Sequence, residues 1–370
     1  MGANKIVFIL ASDDNTNNIK RIEEFLDNGY DVEVYSFKRR ETLNKSEKSK
    51  IEIIGNFSND MPYFRRIALM IKGIQYVLKK TKGSNCVYYL VRNDVAILYS
   101  LICRRPYIFE EADMTHLTIG NTLVQRVLEN KIKRIIKKSV LSIFRSEGFV
   151  KYHFGNSIPT NVFVIPNRLH KDVQNLTVCP PRDIDINHIK FGFVGGIRYE
   201  SILMFVKTLM DNFKQHEFHF YGDFVSPKTE VKFQCLNSYP NCFFHGRFKS
   251  PDDLPLIYSQ IDVLLSTYDV DNVNVRYAEP NKVYEAIYFN CPIIVSSNTF
   301  IAEKVKRLDI GFDLDARDQE AIINFISNLS PVVLNQKRLN IQKIEKESVI
   351  NINSDLFIAL DFLLRSNGTV

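Results

Sequence analysis

Asn281-Lys282-Val283-Tyr284-Glu285 places a cation and a carboxylate three residues apart, directly after Pro280. Proline suits the start of a helix, because it has no N–H to leave unpaired. Ala286-Ile287-Tyr288 continues the helix, Asn290-Cys291-Pro292 stops it, and Ile293-Ile294-Val295-Ser296 reads as a short buried strand. Lys282 and Glu285 therefore share one face of a first helical turn. A lysine there opposes the helix dipole, at a cost of a few tenths of a kcal/mol unless an anion is near. Helix N-termini bind phosphate well. The chemistry on offer is the capture of an anion. The competing reading is a solvated Lys–Glu pair on a surface helix, which contributes little.

Gly195-Gly196 and Arg198 offer the same chemistry between a strand and a helix. Glycines let a backbone approach a phosphate closely, and an arginine adds a charge-assisted donor. By itself a Gly-Gly turn is no more than a tight turn. Asp269-Val270-Asp271 has the Asp-x-Asp form that can hold a divalent cation. Such triplets arise often by chance, and we assign no metal.

Pro280-Asn281-Lys282-Val283-Tyr284-Glu285-Ala286, then Asn290-Cys291-Pro292-Ile293-Ile294-Val295-Ser296, resembles the donor-site segment of GT-B-fold retaining glycosyltransferases (glycosyltransferase family 4-like, group 1). The resemblance implies that Lys282 and Arg198 serve the diphosphate of a nucleotide-sugar donor, with Glu279 and Asp113 as further catalytic candidates. Glu285 would hold the ribose hydroxyls, with Gly195, Gly196, Asn281 and Val283 around the donor. Asn241 to Phe248 and Pro251 to Val263 also resemble the family, which puts Arg247 and Phe248 at the nucleobase. Pro106 to Asp113 resembles a family segment facing the cleft, so Glu110 joins Asp94 as an acceptor-side candidate. Two positions depart from the pattern. Tyr277 stands where many members carry a second glutamate, and Ala112 where many carry a histidine.

The family's fold would be α/β, with two Rossmann-like doubly wound domains facing a cleft. The alternation of elements agrees. Lys5 to Leu10 is a continuous apolar run, the mark of a buried parallel strand. Strands at 31–37, 51–54, 86–91, 107–110, 140–144 and 161–166 alternate with helices at 18–27, 64–80, 95–103 and 123–138. No Gly-x-Gly-x-x-Gly follows the first strand, so a dinucleotide fingerprint is absent. Ser146 reads as a helix cap, as Asn93-Asp94 does in its simplest interpretation. Residues 38–50 form a charged loop, and Pro180-Pro181-Arg182-Asp183 a linker. The pattern then restarts, with strands at 190–194, 217–222, 242–246, 263–266 and 293–296. Helices at 200–213, 252–260, 318–328 and 354–365 accompany them. This gives an acceptor-side domain 1–168 and a donor domain 185–350, and the resemblance implies that residues 352–370 cross back onto the first.

Composition excludes several classes. With 370 residues, 45% hydrophobic and 24% charged, the chain should fold as globular domains. No apolar run approaches the roughly 20 residues of a membrane span, and Ile6 to Ala11 is too short for a signal peptide. Cysteines 86, 103, 179, 235, 242 and 291 form no Cys-x-x-Cys pair, so reduced thiols and a cytoplasmic setting are expected. Nothing points to nucleic acid. Leu123 to Lys138 carries six cations beside apolar residues at helical spacing. That suits a helix packed on the sheet with a solvated basic face, or one that also meets anionic lipid.

The expectation is therefore a sugar transferase working on a saccharide, lipid-linked acceptor. Its setting would be capsule or other cell-surface polysaccharide biosynthesis, at the inner face of the cytoplasmic membrane. The nucleotide sugar is a substrate, and no cofactor is implied. Lys282, Arg198 and two helix starts would stabilise the departing diphosphate. A nucleotide-sugar epimerase of related fold is one alternative. A catalytically silent binding partner is another, motivated by Tyr277 and Ala112.

Overall fold

The structure is a computed structural model that describes residues 5–12, 16–38, 50–57, 61–178, 180 and 183–366. Most of the charged loop at 38–50, Cys179 and the linker residues Pro181 and Arg182 lie outside them. The chain forms two compact units, Met1–Pro166 with Asn353–Val370, and Asn167–Ile352.

The first unit runs β1 (Lys5–Leu10), α1 (Thr16–Asp27), β2 (Asp31–Lys38), β3 (Ile51–Asn56), α2 (Tyr63–Lys80), β4 (Cys86–Val91), α3 (Asn93–Ile102), β5 (Tyr107–Glu111), α4 (Thr122–Lys138), β6 (Leu141–Phe144), α5 (Glu147–Phe154) and β7 (Val162–Val164). Its seven strands are all parallel, in the order β3-β2-β1-β4-β5-β6-β7. Central β1 and β4 are buried on both faces, which is why they read as unbroken apolar runs. Ser146 caps α5 by accepting from the Gly148 N–H at 3.0 Å.

The second unit continues with β8 (Lys190–Val194), α6 (Glu200–Asn212), β9 (Glu217–Tyr221), α7 (Pro227–Phe233), β10 (Cys242–Phe244), α8 (Leu254–Ser259), β11 (Val263–Ser266), α9 (Val273–Tyr277), α10 (Asn281–Tyr288), β12 (Ile293–Ser296), α11 (Phe300–Leu308), β13 (Gly311–Leu314), α12 (Gln319–Ser327) and α13 (Pro331–Gln342). Its parallel sheet has the order β10-β9-β8-β11-β12-β13. One apolar cluster packs α8, α10 and α11 against the sheet, and another packs α6 and α12. The final helix, α14 (Ser354–Ser366), belongs to the first unit. Leu356, Phe357, Leu360 and Leu364 join that unit's core, where the Phe357 and Phe25 rings lie 5.1 Å apart. Burying those four side chains stabilises the unit by roughly 6–12 kcal/mol before entropy is charged.

Helix α4 departs from the simple packed helix in one respect. Ile132, Ile135 and Ile136 are buried, but Leu123, Val124 and Val127 in its first turns are exposed. Tyr63 and Phe64 at the start of α2 are exposed too. Helices α2, α3 and α4 lie side by side, and each begins at the carboxyl end of the sheet, as right-handed crossovers require.

Candidate functional site

In open α/β sheets ligands bind outside the carboxyl ends of the strands. In the second unit three strands end on glycines with left-handed backbone. These are Gly195 after β8 (φ +127°), Gly222 after β9 (φ +131°) and Gly246 after β10 (φ +75°). The Gly195 N–H donates to the Tyr221 carbonyl at 2.7 Å, and the Gly222 N–H to the Gly246 carbonyl at 2.7 Å. A Cβ on Gly222 would lie 2.1 Å from the Gly195 carbonyl oxygen. The Gly195 turn therefore rests on Gly222 at a distance no side chain permits.

Lys282 meets that turn from α10. The residue is 8% exposed, and its Nζ lies 5.2 Å from the centroid of the Phe193 ring. A Cβ on Gly195 would meet that Nζ at 2.8 Å, so the ammonium rests against bare backbone. Among the described residues no carboxylate pairs with it. Enclosing a cation without a counterion is costly, so the arrangement favours an anionic ligand. Helix α10 follows Pro280, which offers no side-chain cap, so the Asn281 and Lys282 N–H groups at its start face such an anion, while the Val283 N–H donates to the Pro280 carbonyl.

The other helix start expected to serve an anion is already occupied. At the start of α6 the Asp269 carboxylate accepts from the Ser201 N–H at 2.9 Å and the Glu200 N–H at 3.1 Å. Asp271 pairs with Arg317 at 2.5 Å. The Asp-x-Asp carboxylates thus cap a helix and form a surface ion pair. Arg198 is exposed, its guanidinium 4.8 Å over the Tyr199 ring. Gly196 is exposed beside it.

Glu285 is 6% exposed, and both its oxygens are held. Tyr258 Oη donates to Oε2 at 2.7 Å and Asn281 Nδ2 to Oε1 at 2.5 Å. Val283 is fully buried in the core that half-buried Phe248 packs against, and its N–H donates to the Pro280 carbonyl at 3.3 Å. Arg247 is exposed and pairs with Asp223. Glu279 is buried, and one oxygen accepts from both Tyr284 Oη and Lys304 Nζ. Among the described residues its other oxygen has no hydrogen-bond partner. Tyr277 is half-buried at the end of α9.

In the first unit the acceptor-side candidates separate. Glu110 is 0% exposed, at the centre of an ion network. Arg145 Nε donates to it at 2.5 Å, Tyr89 Oη also donates, and Arg21 Nε lies at 3.5 Å. Burial alone would raise its pKa, but Arg145 and Arg21 outweigh that and hold it below the usual carboxylate range. Its charge is matched inside the unit. Asp94, by contrast, is partly exposed at the start of α3. It accepts from Arg92 Nη2 at 3.0 Å and the Val95 N–H at 3.0 Å. Arg92 has φ +79° and ψ 152°, a backbone that costs a non-glycine residue about 1–3 kcal/mol. Asp113 is exposed just before a short turn of helix at Thr115–Thr118.

Sequence reasoning does not single out Tyr258, Lys304 or a buried cluster in the first unit. There Glu111 accepts from Asn93 Nδ2 at 2.9 Å and contacts His153 Nε2 at 2.7 Å, while Asn93 Nδ2 also meets His116 Nδ1 at 3.1 Å. Burial lowers the His116 pKa. Tyr258 lies in Leu254-Pro255-Leu256-Ile257-Tyr258, which reads as core. Its bond to Glu285 spans 27 residues, and no local pattern announces it.

Residues 188–330 match the sequence model of the family described as glycosyl transferases group 1. No curated protein matches the chain. Solved structures that are similar along nearly their full length include the following three. Sucrose-phosphate synthase from Thermosynechococcus elongatus is 14% identical at a TM-score of 0.68, covering 98% of each chain. Anabaena HepE in complex with UDP and glucose is 14% identical at 0.65, covering 96% of this chain and 99% of that one. WaaG, a glycosyltransferase involved in lipopolysaccharide biosynthesis, is 14% identical at 0.63, covering 97% and 99%. At such identities the likeness is one of fold, and that fold is GT-B.

Proposed function

We propose that this chain, which has the GT-B fold and matches the glycosyl transferases group 1 model over residues 188–330, moves a sugar from a nucleotide-sugar donor to a saccharide acceptor carried on a lipid. The setting is cell-surface polysaccharide assembly, and the anomeric configuration is retained. The observation that carries this reading is the Lys282 ammonium, enclosed without a counterion among the described residues and set against the Gly195 turn at the start of α10.

In this reading the donor diphosphate lies on the Lys282 ammonium and the first N–H groups of α10, with Arg198 reaching it from the surface. Glu285 accepts the ribose hydroxyls. The bond to the anomeric carbon breaks with charge building on the leaving diphosphate. Interactions that strengthen with that charge lower the barrier, and Lys282 supplies the closest one. The solved HepE complex with UDP and glucose supports a uridine diphosphate donor as the first to test. On the acceptor side Asp94 and Asp113 remain accessible, and Glu110 becomes structural.

The exposed apolar residues in the first turns of α4, with the exposed cations Arg126, Arg134, Lys137 and Lys138 along it, suit peripheral contact with the inner face of the cytoplasmic membrane. No described helix is long and apolar enough to cross a membrane. Arg126, Lys131, Lys133, Arg134, Lys137 and Lys138 would draw the unit to anionic lipid, at about 1 kcal/mol for each cation close to the surface. Leu123, Val124 and Val127 would then enter the headgroup region, a contact that a fully packed helix could not make.

The test is product analysis. Nucleotide sugars are incubated with the protein and lipid-linked saccharides, and the new linkage is read by NMR. A retained anomer is expected, and an inverted one overturns retention. Conversion of the donor alone into an epimer would replace transfer by epimerisation.

A further inference from the structure

The donor-site reading gives Glu285 to the ribose. The way Glu285 is held bears on which nucleotides the site accepts. An ionised carboxylate offers about four lone-pair positions. Tyr258 Oη occupies one on Oε2 and Asn281 Nδ2 one on Oε1, at 2.7 and 2.5 Å. Among the described residues Glu285 has no other partner. Two positions are left, one on each oxygen, which matches the two hydroxyls of a ribose 2′,3′-diol.

Both holding groups are reliable donors. Burial, and after it the Glu285 carboxylate, push the Tyr258 phenol far above its ordinary value, so it keeps its proton. The Tyr258 ring is fixed by stacking on Phe289 at 4.8 Å and 14°. Asn281 is the first residue of α10 and reaches Glu285 one turn on, so its amide bridges the helix start and the carboxylate. The carboxylate is thereby fixed at both oxygens before any ligand arrives. A buried carboxylate fixed in this way discriminates against a ligand that lacks one hydroxyl, because the unmatched lone pair then stays dry.

We infer that Tyr258 and Asn281 are positioning residues that lock Glu285 to read an intact ribose diol, so that the site discriminates against 2′-deoxyribonucleotides. The inference rests on the donor-site reading, and the experiment separates the two.

Uridine, guanosine, adenosine and cytidine diphosphates are titrated calorimetrically into the full chain, each beside its 2′-deoxy counterpart. For the base that binds, the ribonucleotide is expected to bind on the order of tenfold to a hundredfold tighter than its deoxy analogue. In Tyr258→Phe, and separately in Asn281→Ala, that ratio is expected to fall below about threefold, with affinity for the deoxy analogue nearly unchanged. Asn281 is exposed at a helix start, so its replacement does not endanger the fold. A residue with only a structural role would weaken both nucleotides alike, and that result overturns the inference. Equal affinity of the wild type for both sugars also overturns it. If Glu285→Gln still weakens binding in that case, the donor-site reading survives alone. If no nucleotide binds at all, both fail.

Discussion

Replacing Lys282 by methionine should stabilise the empty protein and cripple the reaction. The side chain is enclosed, lacks a counterion among the described residues, and lies in the first turn of α10, where it opposes the helix dipole. Methionine keeps the stem that packs against Phe193 and Gly195. Relief of the dipole conflict is worth about 0.3–1 kcal/mol, a rise in melting temperature of about 1–3 °C for a unit of this size. The catalytic effect has the opposite sign. A unit charge about 4 Å from the leaving oxygen, at an effective dielectric constant of about 20, interacts by about 4 kcal/mol. If roughly half a charge develops as the bond breaks, about 2 kcal/mol is realised only in the transition state, or about 30-fold in kcat. The assay pairs thermal melts of the apo protein with steady-state release of nucleoside diphosphate. A variant that melts lower and turns over normally would refute the reasoning. One with unchanged kcat and a raised KM would mean that Lys282 binds ground state and transition state alike.

Glu285→Gln should weaken nucleotide binding by about 1–3 kcal/mol, because the amide would turn an N–H₂ toward either Tyr258 or Asn281, both donors; unchanged affinity by calorimetry removes Glu285 from the site. Gly222→Ala should distort the Gly195 turn and cost both stability and nucleotide binding, since its Cβ would meet a carbonyl oxygen at 2.1 Å; a melt and titration equal to wild type would contradict this. Replacing Lys133, Arg134, Lys137 and Lys138 by Gln should abolish sedimentation with anionic vesicles and leave nucleotide binding intact. Val127→Asp should weaken vesicle binding without lowering the melting temperature, and failure of the wild type to bind at low salt would leave α4 a solvated face. Glu217 gives a pH signature. Burial works against its charge, but bonds from His219 and Lys190 outweigh that and bring its pKa from 4.5 to about 2. The stability it contributes is present above pH 4.5 and lost as pH falls toward 2, so Glu217→Gln should flatten the acid limb of a stability–pH curve over that window.

The fold was legible where burial on both sheet faces forces long apolar runs, as in β1, β4 and β8. It was not legible where an element is short and lies at a sheet edge. Gly311-Phe312-Asp313-Leu314 forms edge strand β13 with no run or alternation to mark it, and α11 and α13 are mostly polar outside the few positions that pack. At the site, Lys282 and Glu285 could be read because Pro280 fixes where the helix starts. The residues around them could not, because Tyr258 reaches Glu285, Gly222 supports the Gly195 turn and Lys304 pairs with Glu279 from other elements. The same limit hid two arrangements. Glu110 follows three buried residues of a central strand and is neutralised by Arg21 and Arg145 from distant helices and strands, which no spacing shows. The start of α6 is capped by Asp269, 68 residues away from Ser201.

The second unit is expected to bind a nucleoside diphosphate through Lys282 and Glu285. A thermal-shift screen of nucleoside diphosphates tests it most directly. At 100 times its dissociation constant, the ligand adds about 2.7 kcal/mol of stability, a shift on the order of 5–10 °C in a unit of this size. The prediction is such a shift for at least one nucleotide in the wild type, and its loss in the Lys282→Met, Glu285→Gln double variant. An absence of any shift across the set, or a shift that survives in the double variant, would contradict it.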